Sequence, residues 1–189
     1  MDPATRPTTI LSSPYVRAMQ TSDAVRAEGA LLDVSLRADE RLREKEFGVL
    51  NKLTRAGIAR YYPEQAEQRA ALGKFYHRPP GGESWCDVIL RLRSLLDTIS
   101  LHHSGPDARV LLVAHQVIVL CLRYLLEDLD EDRILAIDAA ADVANCGVTE
   151  YRLSATGEER LCLATYNSVA PLVNEGTPVT TKRDSPAPT

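Results

Sequence analysis

Three separated stretches carry residue types suited to holding an anion and moving a proton. The first is Ser12-Ser13-Pro14-Tyr15-Val16-Arg17, where a short apolar run, Thr8 to Leu11, stops at a serine pair and a helix opens with an arginine in its first turns. Backbone N–H groups at such a junction favour anions, and a guanidinium folded back toward the strand end holds two phosphate oxygens in a fork. The second is His115, which closes a continuous apolar strand and opens a helix, the place where ligands bind in open α/β sheets. The third is the pair Glu44 and Glu46 in Leu42-Arg43-Glu44-Lys45-Glu46-Phe47-Gly48, since a carboxylic acid beside a phosphate can protonate a leaving alcohol oxygen. Arg69, Lys74, His77 and Arg78 add positive charge around an aromatic loop. Each has a plainer alternative: a solvated arginine, a hydrogen-bonded core histidine, an exposed run of charge.

These residues need elements to position them. Thr8 to Leu11 reads as a short buried strand, with Ser13 as N-cap and Pro14 at the first position of a helix to about Glu28. Leu31 to Leu36 reads as a second strand, and Leu53 to Tyr62 and Pro63 to Leu72 as two short helices. Gly73 to Gly82 is expected to be a loop. Ser84 with Asp87 three residues on forms a near capping box for a helix whose apolar face is Val88, Leu92, Leu95, Leu96 and Ile99. Arg109 to Ala114 has the pattern of a parallel strand covered on both faces, and the helix Val117 to Glu127 is apolar almost all round. Asp130 to Ile137 reads as a short helix, and Val148 to Leu153 and Leu161 to Tyr166 as strands paired around Thr156-Gly157. Strands interleaved with helices predict an α/β fold of three layers: a mostly parallel sheet with helices on both faces. Residues 1–173 read as one domain and 174–189 as a flexible tail.

Composition excludes some function classes. The 189 residues carry a net charge of −4, so nothing global points to nucleic acid or to an anionic membrane. The N-terminal residues lack the apolar core of a signal peptide, and no run approaches the ~18 apolar residues of a membrane span. Cys86, Cys121, Cys146 and Cys162 are widely spaced and read as buried free thiols, consistent with a cytoplasmic protein. No metal ligand spacing and no Gly-rich dinucleotide loop are present, so neither metal nor cofactor is expected. Oligomeric state is left open, a homo-oligomer included.

The motifs together resemble a known family. Ser12-Ser13-Pro14-x-x-Arg17-Ala18-x-Gln20-Thr21, Leu42-x-Glu44-x-x-Phe47-Gly48, Pro80-Gly81-Gly82-Glu83-Ser84, Val113-Ala114-His115-Gln116 and Asn145-Cys146 follow in the order of the histidine phosphatase (phosphoglycerate mutase-like) superfamily. Within it, Lys74 to Ser84 and His115-Gln116 look most like the fructose-2,6-bisphosphatase branch. The resemblance implies a phosphomonoesterase acting on a phosphorylated small molecule through a phosphohistidine. Arg17 and His115 then hold the transferred phosphoryl group, Glu44 is the proton donor with Glu46 as the alternative, and Gln116, Arg69 and Lys74 contact substrate. An arginine that this branch places five residues after the histidine is Leu120 here.

One part of the family pattern is missing. The histidines are His77, His102, His103 and His115, and none stands in the Arg-His-Gly motif that supplies the family's nucleophile. The strand bearing that motif is absent too, which leaves two strands without a hydrogen-bonding neighbour unless they close the gap. Two expectations follow: a family phosphatase shortened at its N-terminus, or a pseudoenzyme that binds a phosphorylated ligand or a partner protein. On either, turnover by this sequence is slight, because losing a nucleophile costs on the order of 10⁴ to 10⁶ in rate.

Overall fold

The structure is a computed structural model that describes residues 6–105, 107–154, 160–174, 176, 178 and 179. Its centre is strand β1 (Thr9–Ser12), buried at every position. On either side of β1, in parallel, lie β2 (Ser35–Ala38) and β3 (Val110–Val113). The alternation of side chains along these strands divides the core in two. Ile10, Leu111 and Val113 point to one face, where they meet Leu31, Val34 and Val25 of helix α1 (Val16–Glu28). Leu11, Val110 and Leu112 point to the other, against α4 (Trp85–His102), α5 (Gln116–Leu126) and α6 (Glu131–Ala140). This is the expected helix–sheet–helix layering.

Register fixes the site. Ser12 stands opposite Val113 of β3, and Ser13 N–H donates to Val113 O at 2.8 Å. The chain therefore leaves β1 and β3 at the same level, which puts Ser13 beside His115 at the carboxyl end of the sheet. On the other side Asp39 N–H donates to Ser12 O at 2.9 Å. From there a short 3-10 turn, Glu40–Leu42, buries Leu42 completely and sends residues 43–46 across the same end.

That crossing segment is clamped by a backbone contact between two glycine-bearing loops. Phe47 bridges Gly82, Val49 N–H donates to Pro80 O at 3.0 Å, and Glu83 N–H donates to Glu46 O at 2.9 Å. Gly48 has φ +52°, and a Cβ there would fall 2.1 Å from Pro80 O, so no other residue fits.

β4 (Val148–Leu153) and β5 (Leu161–Ser168) form a separate antiparallel pair. Among the described residues β3 pairs only with β1, and β4 only with β5, so the two sheets do not join. A polar cluster holds the pair against α5 instead. Arg123 forks Glu127 at 2.7 and 2.9 Å and lies 3.9 Å from the Tyr166 ring centre, while Tyr151 Oη donates to Glu127 at 2.7 Å.

Several elements depart from the sequence reading. Helix α1 begins at Val16, not Pro14, and Ser13 is not its cap: Tyr15 holds that position in extended conformation. Strand β2 starts four residues later than expected, because Leu31 and Val34 are used as core anchors in the connection. The helical span α3 (Pro63–Tyr76) is broken at Gly73, whose non-helical φ of 78° and ψ of 164° favour glycine. The first stretch ends at Leu72 as expected, while a short further stretch to Tyr76 lies inside the supposed loop. The span follows α2 (Arg55–Tyr61). The Ser84–Asp87 capping box is complete in both directions. Cys121 is buried, but Cys146 and Cys162 are exposed, because the alternation of β5 and the turn before β4 carry them outward. A further short helix, α7 (Ala170–Asn174), follows β5. The Thr156-Gly157 turn and nearly all of the 174–189 tail lie outside the described residues.

Candidate functional site

The site forms where β1 and β3 end. His115 stands at the N-cap of α5 and is 8% exposed. Its Nδ1 lies 2.9 Å from an Arg17 guanidinium nitrogen and its Nε2 lies 2.8 Å from Ser13 Oγ. A guanidinium only donates, so Nδ1 is the acceptor and the ring proton sits on Nε2, donated to Ser13. Tyr15 closes one side, its ring meeting His115 edge-on at 5.2 Å and Arg17 at 4.9 Å. Burial, with the Arg17 and Arg91 charges, pulls the His115 pKa down to about 4. The imidazole is neutral at physiological pH.

Glu44 reaches the same place from the crossing segment. One of its carboxylate oxygens accepts from Lys45 N–H at 2.9 Å, and the Val117 N–H in the first turn of α5 also donates to the carboxylate. Burial raises its pKa above the ordinary carboxylate value, against the pull of those N–H groups, Arg17 and Arg91. A carboxyl so placed keeps its proton to higher pH than a solvated one, the property a proton donor needs. Glu46 is engaged elsewhere: Tyr15 Oη donates to it at 2.9 Å and Arg43 at 2.6 Å. It braces Tyr15.

Arg17, Glu44 and His115, which stand far apart in sequence, are thus brought together. The remaining expected site residues are not in this cluster. Gln116 opens α5 beside His115, but its amide donates to Asp142 at 3.2 Å. Lys74 is ion-paired with Asp138 and lies over the Trp85 ring at 5.4 Å. Arg69, on the same helix, has no carboxylate partner among the described residues. His77 is buried, its Nε2 3.3 Å from Gln65 Oε1, and Arg78 is paired with Asp87.

Sequence reasoning missed three contributors. Ser13 read as a helix cap but is the partner of His115. Tyr15 gave no signal beyond being aromatic. Arg91 forks Glu83 at 2.8 and 3.0 Å and sets a positive charge beneath both His115 and Glu44. Glu83 lies ahead of the α4 cap, so helical spacing does not show that pairing. Among the described residues no group of three or more His, Cys, Asp or Glu side chains is arranged as metal ligands. No helix of the described residues is long and apolar enough to cross a membrane.

Residues 3–165 match the family model of the histidine phosphatase superfamily (branch 1). A 6-phosphofructo-2-kinase/fructose-2,6-bisphosphatase of Caenorhabditis elegans is 33% identical over 110 residues, 58% of this chain and 22% of that protein. A bifunctional protein of Mycobacterium tuberculosis is 35% identical over 161 residues, 80% of this chain and 39% of that protein. The chain therefore spans well under half the length of these relatives. Among solved structures, a mycobacterial glucosyl-3-phosphoglycerate phosphatase in complex with inorganic phosphate superposes with a TM-score of 0.70. It is 28% identical, with 87% of this chain and 78% of that one covered. YhfR of Bacillus stearothermophilus gives 0.71 at 25% identity, covering 88% and 76%.

Proposed function

The chain belongs to branch 1 of the histidine phosphatase superfamily, and on that premise we propose that its site binds the phosphoryl group of a phosphorylated small molecule. One observation carries the reading. Arg17 faces the sheet end with no carboxylate partner among the described residues, its visible neighbours being the neutral His115 ring and the Tyr15 face. An unpaired guanidinium beside a neutral imidazole and a helix N-terminus makes a field that favours a dianion. Phosphoryl oxygens compete with Nδ1 for the Arg17 N–H groups, and the freed imidazole then takes up a proton and donates to the phosphoryl group. Glu44 stands ready to protonate the leaving alcohol oxygen.

Turnover by this sequence is near background. His77 is buried against Gln65, and His102 and His103 lie at the far end of α4. His115 donates from Nε2 to Ser13, and with phosphate bound its Nδ1 carries a proton taken from solvent, so no histidine at this site presents a free lone pair to phosphorus. The reading is therefore of binding without appreciable catalysis.

The test is calorimetric titration with glycerol 3-phosphate, alongside hydrolysis of an aryl phosphate. Wild type should bind, and Arg17→Ala should bind at least about tenfold more weakly, the cost of a charge-assisted fork. Wild-type affinity unaffected by Arg17→Ala refutes the binding site. Brisk aryl phosphate hydrolysis abolished by His115→Ala refutes the account of turnover.

A further inference from the structure

Tyr15 belongs to neither apolar cluster of the core. Its ring and hydroxyl meet polar groups instead. The Arg17 guanidinium lies over the ring at 4.9 Å and that of Arg43 at 5.3 Å, and His115 meets it edge-on at 5.2 Å. The hydroxyl donates to one carboxylate oxygen of Glu46 at 2.9 Å, and Arg43 donates to the same oxygen at 2.6 Å. Apolar burial, the usual reason for a ring beside a sheet, does not account for that set of neighbours.

Tyr15 is fixed at both ends. Its N–H donates to Ser13 Oγ at 3.3 Å, and its carbonyl accepts from the Ala18 and Met19 N–H groups at 2.9 and 3.0 Å. At the hydroxyl end Glu46 is itself held. Its N–H donates to a Glu83 carboxylate oxygen at 3.0 Å, and its carbonyl accepts from Glu83 N–H at 2.9 Å. Arg17 is the opposite case: a long, exposed side chain with many rotamers and no carboxylate to choose among them. It is held by His115 Nδ1 at 2.9 Å and by the Tyr15 ring. An arriving phosphoryl group displaces the first of these contacts, because it competes for the same N–H groups. The second survives: a π face attracts the cation's charge, and a guanidinium has N–H groups to spare for the anion.

We propose that Tyr15 is a positioning residue of the phosphate site: its ring, pinned through its hydroxyl to Glu46, holds the Arg17 guanidinium at the sheet end both before and after the phosphoryl group arrives. The ligand is then spared much of the entropic cost of ordering a long exposed side chain. The same tether ties Arg17 to the crossing segment that carries Glu44, two residues before Glu46. The proposal rests on the phosphate reading above.

A double-mutant cycle on the whole chain, read by calorimetric titration with glycerol 3-phosphate, tests it. Tyr15→Leu should weaken binding about fivefold in the wild-type background, the strength of an exposed cation–π contact. In the Arg17→Ala background the same change should weaken it by less than about twofold, since no guanidinium remains to be positioned. Tyr15→Phe keeps the ring but loses its pin, so it should fall between wild type and Tyr15→Leu; it carries the cycle if the larger change unfolds the chain. A second readout follows Arg17 itself. With glycerol 3-phosphate bound, the heteronuclear NOE of Arg17 Nε–H should be that of an ordered group in wild type and of a mobile one in Tyr15→Leu. A purely structural role for Tyr15 would weaken binding equally in the two backgrounds. Equal losses, an unchanged affinity, or an Arg17 side chain equally ordered with and without the ring overturn the positioning role and leave the phosphate site standing. Failure of wild type to bind glycerol 3-phosphate instead overturns the phosphate reading, and this one with it.

Discussion

The neutral state of His115 ties stability to pH. The perturbation is acidification from pH 7 to pH 5, in wild type and in His115→Gln. Glutamine can still donate toward Ser13 and accept from Arg17, but it does not titrate. The ordinary imidazole pKa is 6.5, and in the folded chain it is about 4. Between those values the unfolded chain binds a proton that the folded chain refuses. The stability this histidine contributes is therefore complete above pH 6.5 and is lost as pH falls. The loss is about 2 kcal/mol by pH 5 and tends to about 3 kcal/mol below pH 4. His77, whose pKa burial also lowers, adds a loss of the same sign in both proteins. The difference between wild type and His115→Gln isolates His115. Urea unfolding followed by the fluorescence of the single tryptophan, Trp85, buried to 1% exposure, measures it. Equal acid losses in the two proteins, or an NMR titration of His115 centred near 6.5, refute the reasoning. A bound phosphate dianion raises the folded-state pKa, so added inorganic phosphate should shrink the acid loss in wild type alone.

Two further perturbations probe the scaffold. Gly48→Ala places a Cβ 2.1 Å from Pro80 O at a φ of +52° and should cost at least about 2 kcal/mol in urea unfolding; a change within about 0.5 kcal/mol speaks against the clamp. Arg123→Met leaves Glu127 half-buried with only Tyr151 as partner and removes the cation from the Tyr166 ring. It should destabilise by about 3 kcal/mol, with hydrogen exchange rising in β4 and β5 before β1 and β3. Uniform exchange across both sheets contradicts the view that Arg123 anchors the hairpin.

Much of this architecture is readable from short-range signals. The run from Val110 to Val113 announces a strand covered on both faces, and Ser84 with Asp87 announces the start of α4. Arg17, Glu44 and His115 are found because each sits at a strand end or beside a turn whose chemistry is local. Failures arise where a long-range contact decides. Ser13 looks like a cap until the β1–β3 register sets it against His115. Lys74 looks like a free cation, yet it is neutralised by Asp138, 64 residues away. Lys45 looks like any member of a charged run, and only its burial distinguishes it.

That contrast also explains how a net-acidic chain builds a positive pocket. With 26 acidic residues against 22 lysines and arginines, carboxylates are in excess, and most arginines near the core have been paired. Arg41 is held by Asp39, Arg91 by Glu83, Arg78 by Asp87 and Arg123 by Glu127. Unpaired cations such as Arg37 and Arg93 are exposed and solvated. Arg17, Lys45 and Arg69 are different. They gather around the segment 44–45 at one end of the sheet, where Glu44, the carboxylate best placed to neutralise them, is pushed toward its protonated form. Pairing elsewhere keeps most of the acidic average from reaching the pocket, because charges held in tight pairs project less field beyond their partners, although Arg91 still acts on His115 and Glu44. The positive field at the carboxyl end of β1 and β3 thus comes from withholding counter-charges at three positions rather than from adding basic residues.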